Sequence, residues 1–552
     1  MRIRILLLSV IFFQFHLSFC RDSYEELLIT TLSNDYFVSG ETVYFSLFCL
    51  EKENQQFSKV SSIAYVTLLN EKKQVVENIK VKLSNGRGNG EFFVKSQYPT
   101  GNYYIFAHTA LMLNQPTSDI QGSKLAIVNP FMGYKNPQQP ETIETNRSET
   151  FPKTSEKEEK GVIEISNIET SYKVRSRVKF DIRTESKSYL SVTVRLLDSL
   201  SGQPDERKNA KRYLSNSSIQ SNAKPYKWLP DTKGELVRGV VKNISDSTDF
   251  PISIYAVFPG PKSRLFVDVL HAGSDTFLIT LPTAYLGDKY LLQSPECQSC
   301  QFHPFDKFLP NYDFVETRPL LLSENQLSRI SSRSIKSQIE NAYFEEKRPN
   351  GVNGNYQPFF GQPSYSYNLS DYTKFNRMED IFKEVTSTIS LRSNRDQYQL
   401  KVIGGGEVLE NPLIMIDGIV SKENAVMSLD PGVIQSIDVV TNAFHLNEMR
   451  FEGIISIKTS RSLNELFQLN NHNVFDFIPV DEPAKRASLI ENKRRIPEYS
   501  HILYWNPHLE VNHKGKSIEL QTGDSKGTYL ISVFGIDSDS NLIESSWKFD
   551  VH

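Results

Sequence analysis

The sequence predicts a mainly β fold, in which several β-sandwiches follow one another and one small α+β domain lies in the second half of the chain. Short stretches in which apolar and polar residues alternate are separated by turns rich in Gly, Pro and Asn, and helical periodicity is scarce. Aromatic residues are plentiful, with 34 Phe and 25 Tyr among 552 residues, as in chains of small sandwiches. A chain of this length can hold about three to five domains.

The N-terminal residues 1–20 predict a secretory signal. Arg2 and Arg4 precede an apolar run from Ile5 to Phe13, which is the order of such a signal. This run is shorter than the ~20 residues that a membrane helix needs, and no later run is long enough. We therefore expect an exported protein without a transmembrane segment in its mature chain. Cys20 leaves two alternatives open: it belongs to an ordinary cleavage site, or it is lipidated within a poor lipobox.

Composition excludes several classes of function. The chain carries 62 basic and 65 acidic residues, so no strong field would gather nucleic acid or an acidic membrane surface. Four cysteines, one of them in the signal, do not form a disulfide-rich scaffold. We expect no nucleic-acid partner.

Residues 24–130 predict the first sandwich. Its landmarks follow one another as a Gly-Glu strand, an apolar strand, a Gly-rich turn and a Pro-Thr-Gly strand (Asp35 to Phe45, Tyr65 to Leu69, Gly86 to Phe92 and Pro99 to Ile105). This order resembles the macroglobulin-type domain of α2-macroglobulin-like proteins. The resemblance implies an immunoglobulin-like sandwich that serves as a spacer or binding module, and it implies no activity.

Two further sandwiches are expected after a polar linker at 131–160. The second, 161–228, rests on the alternation in Val178 to Ile182 and Leu190 to Val194. The third, 229–310, rests on Gly234 to Val241 and Ile252 to Gly260; it resembles transthyretin-like or carboxypeptidase-regulatory-like sandwiches. Residues 311–370 predict a helix followed by a linker, and Ser323 and Gln326 have the spacing of a capping box at the start of the helix, which we expect to run to Glu346.

Residues 371–462 predict the α+β domain. A short helix over Met378 to Val385 precedes three strands, which lie within Pro412 to Val420, Asp430 to Val440 and Gly453 to Thr459. These segments resemble the plug domain of TonB-dependent outer-membrane receptors, whose pattern runs PLxxIDG, DIxSIxVx and GxIxIxT. Such a plug fills a barrel of many strands of about 10 residues each. Only 93 residues follow Thr459 (552 minus 459), so no barrel of its own chain can surround it. Residues 463–552 predict a C-terminal sandwich.

The whole order of domains resembles large envelope proteins of Bacteroidota that combine a macroglobulin-type domain with a plug-like domain. The resemblance implies a protein at the periplasm, outer membrane or cell surface, with a protein partner there, a β-barrel being one candidate. It implies no cofactor.

Four motifs are candidates for functional sites. Cys297 and Cys300, with His303 nearby, favour a local disulfide in an oxidising compartment over a metal site or a redox site. Asp417 and Gly418 favour a turn over catalysis. Cys49 is most simply a core residue, because Lys52 stands where a thioester needs Gln. Asp537 to Asn541 favours a hairpin turn over a calcium loop. We expect no catalytic residue and no metal site.

Three functions remain open on the sequence alone. The first is a non-catalytic envelope scaffold or binding protein with a sandwich stalk and a plug-like docking module. The second is an accessory subunit that supplies a plug-like domain to a separate outer-membrane transport barrel. The third is a macroglobulin-like protease trap without a thioester.

Overall fold

The computed structural model describes residues 24–134, 163–198, 200, 226–245, 248–260, 263–283, 286–343, 358–394, 397–447, 449–469, 473–481 and 496–552. The predicted signal with Cys20, and most of the predicted linker 131–160, lie outside the described residues. Strands dominate, so the fold is mainly β, as predicted. The chain forms two compact units. Unit 1 comprises Met1–Thr232, Lys307–Gly351 and Asp481–His552, and unit 2 comprises Lys233–Asp306 and Val352–Val480.

The strands in chain order are β1 (Glu26–Leu32), β2 (Tyr36–Val38), β3 (Thr42–Glu51), β4 (Ile63–Asn70), β5 (Val75–Lys82), β6 (Arg87–Phe93), β7 (Gly101–Thr109), β8 (Gly122–Val128), β9 (Ile163–Ser166), β10 (Ser171–Tyr172), β11 (Arg177–Thr184), β12 (Ser188–Leu196), β13 (Glu235–Lys242), β14 (Ile252–Phe258), β15 (Arg264–Leu270), β16 (Thr276–Leu281), β17 (Lys289–Gln293), β18 (Gln301–Pro304), β19 (Tyr365–Asn368), β20 (Ile389–Asn394), β21 (Gln397–Gly404), β22 (Glu407–Leu409), β23 (Leu413–Ile416), β24 (Ile419–Val420), β25 (Ile434–Val440), β26 (Phe444–Leu446), β27 (Met449–Phe451), β28 (Ile454–Thr459), β29 (Val474–Asp476), β30 (Val480–Asp481), β31 (Ile502–Val511), β32 (Lys516–Gln521), β33 (Gly527–Asp537) and β34 (Leu542–Val551). The helices are α1 (Glu324–Ala342), α2 (Met378–Glu384), α3 (Glu423–Met427) and α4 (Leu463–Leu469).

The first sandwich, in unit 1, packs the sheet β1-β3-β6 against a sheet that contains β2-β8-β7-β4-β5. The Gly-rich stretch of the sequence forms β6, and its glycines make room for the core. A Cβ on Gly90 would lie 2.4 Å from Cζ of Phe45, and Phe45 is fully buried beside Phe92. Glycine therefore lets a phenylalanine ring lie directly against the neighbouring strand.

The second sandwich, also in unit 1, differs from the predicted division of the chain. The sequence suggested separate sandwiches at 161–228 and 463–552. Instead, β12 pairs with β31 on one side and β33 on the other, and β11 pairs with β32. One sandwich results, with sheets β10-β34-β33-β12-β31 and β32-β11-β9 around one core. The alternation of residues indicates a strand and its buried face, but it carries no information about which distant strand will pair with it.

Helix α1 belongs to unit 1 and begins as the sequence predicts. The Ser323 side chain accepts a hydrogen bond from the Gln326 backbone N–H, and the Gln326 side chain accepts one from the Ser323 backbone N–H. This capping box satisfies two backbone donors that the first turn leaves without partners. The helix extends to Ala342, and residues 344–346 of the prediction lie outside the described part of the chain.

Unit 2 contains the third sandwich, with sheets β16-β13-β18 and β15-β14-β17-β29. Strand β29 comes from residues well after the predicted boundary at 310 and pairs with β17. A mixed α/β module follows the third sandwich in the chain. Its main sheet has the order β19-β25-β28-β23-β24, and a meander β20-β21-β22 and helices α2 and α3 complete its core. The three strands and the short helix predicted between 371 and 462 are present, and β19 lies before the predicted start at 371.

Candidate interaction surface

The strand β23 lies between β28 and β24 in the main sheet of the mixed α/β module and is buried on both faces. Ile414 and Ile416 face the core that α2 and α3 cover, whereas Leu413 and Met415 face the third sandwich. The strand runs parallel to β28. A run without a polar residue is what burial of both faces requires, so the motif Leu-Ile-Met-Ile is explained by packing.

The turn Asp417–Gly418 joins β23 to β24, with φ of 52° at Asp417 and 86° at Gly418. Positive φ at both central residues favours Asp-Gly. The Asp417 carboxylate accepts hydrogen bonds from the backbone N–H of Thr459 at 2.7 Å and from its hydroxyl at 2.6 Å. A Cβ on Gly418 would lie 2.5 Å from Cβ of Ser263, so the turn packs closely on the loop between β14 and β15. Asp417 and Gly418 thus form a structural turn, and the Asp417 hydrogen bonds hold the end of β28 in place.

The third sandwich covers one face of the module. Strand β14 is buried on both faces, with Ile254 and Ala256 in the core of the sandwich and Tyr255 and Val257 against the module. The Gln293 side chain donates a hydrogen bond to the carbonyl of Val420, in the short strand β24, at 3.3 Å. One end of the module's main sheet therefore lies against the sandwich.

The other end of that sheet is an open edge. Strand β19 pairs with β25 along Tyr365–Asn368, and within the described residues no strand lies on its other side. Tyr367 is anchored, because its hydroxyl lies 2.9 Å from Oγ1 of Thr388. Tyr365 and Tyr372 are 50% and 44% exposed. We call Tyr365–Asn368 together with Tyr372 the β19 edge. Tyrosines that combine an apolar ring with a polar tip are common in protein interfaces, and an unpaired strand edge can add a partner's strand.

Cys297 and Cys300 form a disulfide with a Cα–Cα distance of 5.4 Å. Both residues are buried in the core of the third sandwich, between β17 and β18. The Asn473 side chain donates a hydrogen bond to the Cys300 carbonyl at 3.3 Å, which links the disulfide loop to the segment that supplies β29. His303 is exposed on β18. The disulfide and the Asp417–Gly418 turn are separate features, because they share no contact among the described residues.

Unit 1 contains a buried charge cluster that the sequence did not indicate. Arg333 on α1 donates hydrogen bonds to the Glu41 carboxylate at 2.7 and 2.9 Å, to the Asp198 carboxylate at 2.8 Å and to the Tyr36 carbonyl at 2.8 Å. Burial by itself lowers the pKa of the Arg333 guanidinium, but the two carboxylates outweigh it and raise the pKa. One arginine therefore ties the helix to the first and second sandwiches.

His501 lies beside this cluster and is held neutral. Burial lowers the pKa of its imidazole, Arg333 lowers it further, and Asp198 opposes them. Its Nε2 is sealed from solvent and has no hydrogen-bond partner among the described residues. These groups form a structural junction, since Arg333 pairs with both carboxylates of the cluster.

Cys49 lies in the core of the first sandwich, as predicted. Burial and the nearby Glu26 carboxylate raise the pKa of its thiol. Glu26 is fully buried and accepts hydrogen bonds from the hydroxyls of Ser58, Ser61 and Thr109. The thiol is therefore neutral and shielded, which does not suit a nucleophile.

Asp537 to Asn541 form a hairpin turn between β33 and β34, as predicted. The Asp537 carboxylate accepts hydrogen bonds from the backbone N–H groups of Asp539 and Asn541 at 2.9 and 2.8 Å. In the described part of the chain, no group of three or more His, Cys, Asp or Glu residues could hold a metal ion. None of the helices described is both long and apolar enough to span a membrane.

No protein-family model and no curated protein matches this chain. Among solved structures, the chain is similar to bacterial α2-macroglobulins. Escherichia coli α2-macroglobulin activated by porcine elastase is 9% identical, with 96% of this chain and 44% of that chain covered and a TM-score of 0.25. Salmonella α2-macroglobulin reacted with methylamine is 8% identical, with 96% and 39% covered and a TM-score of 0.25.

The native conformation of E. coli α2-macroglobulin is 9% identical, with 96% of this chain and 40% of that chain covered and a TM-score of 0.25. The chain spans less than half the length of the structures it matches. Its fold class rests on the strand pairing described above.

Proposed function

We propose that this chain is a non-catalytic scaffold or binding protein of the cell envelope, associated with the outer membrane, whose mixed α/β module docks a protein partner through the β19 edge. The sandwiches act as a stalk. The observation that carries the proposal is the contrast between the two ends of the module's main sheet. One end lies against the third sandwich, whereas the other ends in β19, whose outer side meets no strand of the described residues and which has the exposed Tyr365 and Tyr372 on or near it. The buried charges of Arg333, Glu41 and Asp198 are consistent with a non-catalytic role, because they pair with one another and hold helix α1 to the sandwiches.

A mild-detergent pull-down of the tagged full chain from its native envelope, followed by mass spectrometry, tests the proposal. We expect a stoichiometric protein partner with the wild type and its loss with Tyr365→Ser/Tyr372→Ser. Tyr226→Ser provides a matched control, because Tyr226 is 41% exposed in unit 1. A partner that survives the double substitution would move the docking site away from the β19 edge, and the absence of any partner would refute the docking role.

The resemblance of the module to receptor plugs gives the second candidate, an accessory subunit for a separate transport barrel. The same pull-down distinguishes the two, because an accessory subunit should bring down a β-barrel protein in a ratio near one to one. The third candidate, a protease trap, has the least support: a trap without a thioester must hold the protease mechanically, and the described Cys49 is buried and neutral.

A further inference from the structure

The first and second sandwiches of unit 1 meet in a small apolar cluster of their own. Among the described residues, this cluster is smaller than the core of either sandwich. A small cluster opens more readily than a core does, so the two sandwiches should separate before either of them unfolds. We call the cluster the sandwich interface; its buried apolar residues are Leu27, Ile29, Phe48 and Leu50 from the first sandwich and Phe534, Ile536 and Leu542 from the second.

His508 on β31 lies where the two sandwiches meet. Its ring contacts the Phe48 ring edge to face, with centroids 5.2 Å apart, and its Nε2 lies 2.7 Å from the Gly88 carbonyl oxygen on β6. A carbonyl only accepts, so Nε2 carries the hydrogen of the neutral ring and Nδ1 is an acceptor. Nδ1 is sealed from solvent and has no hydrogen-bond partner among the described residues. Protonation therefore creates a buried N–H donor without an acceptor in the described part of the chain.

The charged groups around His508 also oppose its protonation. From β6, Arg87 acts on the imidazole as a like charge, and its guanidinium stacks 3.7 Å from the centroid of the Tyr189 ring on β12. Glu510, two residues further along β31, already pairs with Lys187 at 2.8 Å. A charged His508 is therefore disfavoured as long as the sandwich interface is closed.

The protonation equilibrium of His508 differs between the closed and the open interface. Burial lowers the pKa of its imidazole to about 4; the hydrogen bond with Gly88 opposes this, and Arg87 adds to it. A histidine in solvent has a pKa of about 6.5. Acid therefore favours the state in which His508 is exposed, and the closed state is fully favoured only above pH ~6.5.

His501, which directly precedes β31, acts in the same direction. Burial lowers the pKa of its imidazole, and so do Arg333 and Lys336 from α1 and Arg195 from β12, whereas Asp198 raises it. More cations than carboxylates thus act on this second histidine. Protonation is disfavoured at both ends of the segment from 501 to 508.

We propose that the sandwich interface is an acid-sensitive switch, at which protonation of His508 separates the first and second sandwiches while each keeps its own core. The switch does not depend on the β19 edge, because β19 belongs to unit 2. It makes the separation of the two sandwiches a response to the acidity of the surroundings.

Thiol labelling distinguishes opening of the interface from unfolding, because two positions of β3 face opposite ways. Ser46 is fully buried and its hydroxyl lies 3.0 Å from that of Ser191 in the second sandwich, whereas Cys49 faces the core of the first sandwich. Ser46→Cys in the full chain is labelled with 4,4′-dithiodipyridine at pH 7.5 and pH 5, and tandem mass spectrometry separates the two thiols. Each rate is divided by that of the same chain in urea at the same pH, which removes the pH dependence of the thiol itself.

We expect the normalised rate at position 46 to rise at least about thirtyfold from pH 7.5 to pH 5, because that is the change in the open-to-closed ratio that His508 alone supplies. Cys49 should stay unlabelled. No rise at position 46, or an equal rise at both thiols, would overturn the proposal, since the second result means that the first sandwich unfolds.

Histidine substitutions in the same background identify the group that responds. His508→Gln should lower the rise about thirtyfold, because glutamine retains a donor for the Gly88 carbonyl but does not titrate; His508→Asn replaces it where the glutamine variant does not fold. His513→Gln, at an exposed histidine of the same sandwich, should leave the rise unchanged. A full rise without His508 would refute its role as the group that opens the interface.

Discussion

At the scale of single residues, Arg333 holds helix α1 to the first and second sandwiches of unit 1. It is a buried cation that forms ion pairs with two carboxylates, those of Glu41 in the first sandwich and Asp198 in the segment after β12. A buried ion pair contributes little net stability compared with apolar packing, but removing one partner leaves the others buried without compensation. Substitution of Arg333 should therefore destabilise unit 1 more than the small net contribution of the ion pairs suggests.

We expect Arg333→Gln to lower the free energy of unfolding of unit 1 by about 3–5 kcal/mol. All three tryptophans of the chain, Trp228, Trp505 and Trp547, lie in unit 1, so tryptophan fluorescence during urea unfolding reports on this unit. Arg329→Gln, one turn earlier and exposed on the same helix, should change the stability by less than about 0.5 kcal/mol. Equal effects of the two substitutions would show that Arg333 does not hold the helix in place.

His508 makes the stability of unit 1 depend on pH. Burial lowers the pKa of its imidazole to about 4; a hydrogen bond with the Gly88 carbonyl opposes this, and Arg87 adds to it. The unfolded chain has a histidine pKa of about 6.5, so the unfolded state binds more protons below that value. The stability contributed by neutral His508 is present above pH ~6.5 and is lost as the pH falls towards 4.

At about pH 5, His508 should account for a loss of about 2 kcal/mol relative to neutral pH. Urea unfolding followed by tryptophan fluorescence at the two pH values measures it. His508→Gln should reduce the pH dependence by this amount, and His513→Gln, an exposed histidine of the same sandwich, should leave it unchanged. The buried His501 acts in the same direction, so some dependence should remain. A variant as sensitive to pH as the wild type would contradict the assignment.

At the scale of elements, strands buried on both faces decide how the sandwich and the mixed module join. β14 and β23 both have apolar residues on each face, and together they supply much of the contact between the two. Continuous apolar runs at 254–258 and 413–416 are the signal in the sequence for such strands. The edge strand β19 carries polar residues between its tyrosines, as exposed edges do.

The disulfide belongs to this scale, because it closes the loop between β17 and β18. It joins residues only three positions apart, so it restricts the unfolded chain less than a long loop would. We expect Cys297→Ser/Cys300→Ser to lower the stability of unit 2 by about 2 kcal/mol, measured by hydrogen exchange of unit 2 peptides. Reduction of the wild type should give the same change. A variant that is as stable as the wild type would show that packing alone holds the loop.

At the scale of the whole molecule, the second sandwich is built from two segments of unit 1 that lie far apart in the sequence. Its core joins Phe180 and Val192 from the first half of the chain to Ile531 and Val533 from the C-terminal end. Neither half buries its apolar face alone. We expect the fragment 161–228 to be unfolded by circular dichroism, and to fold when residues 496–552 are supplied with it. Cooperative unfolding of 161–228 by itself would refute this.

The fold class, most strands, the capping box of α1 and the short helix α2 could be predicted from the sequence, because they follow from local periodicity and from hydrogen bonds between near neighbours. The sequence also indicated the Asp417–Gly418 turn and the proximity of Cys297 to Cys300, which are close in the chain. The folded chain was needed to show that 163–196 and 502–551 form one sandwich, that Arg333 donates hydrogen bonds to Glu41 and Asp198, and that no strand of the described residues lies on the outer side of β19. Pairing between distant strands depends on the free energy of the whole packed core, and alternation along a single strand is the same whichever partner it finds.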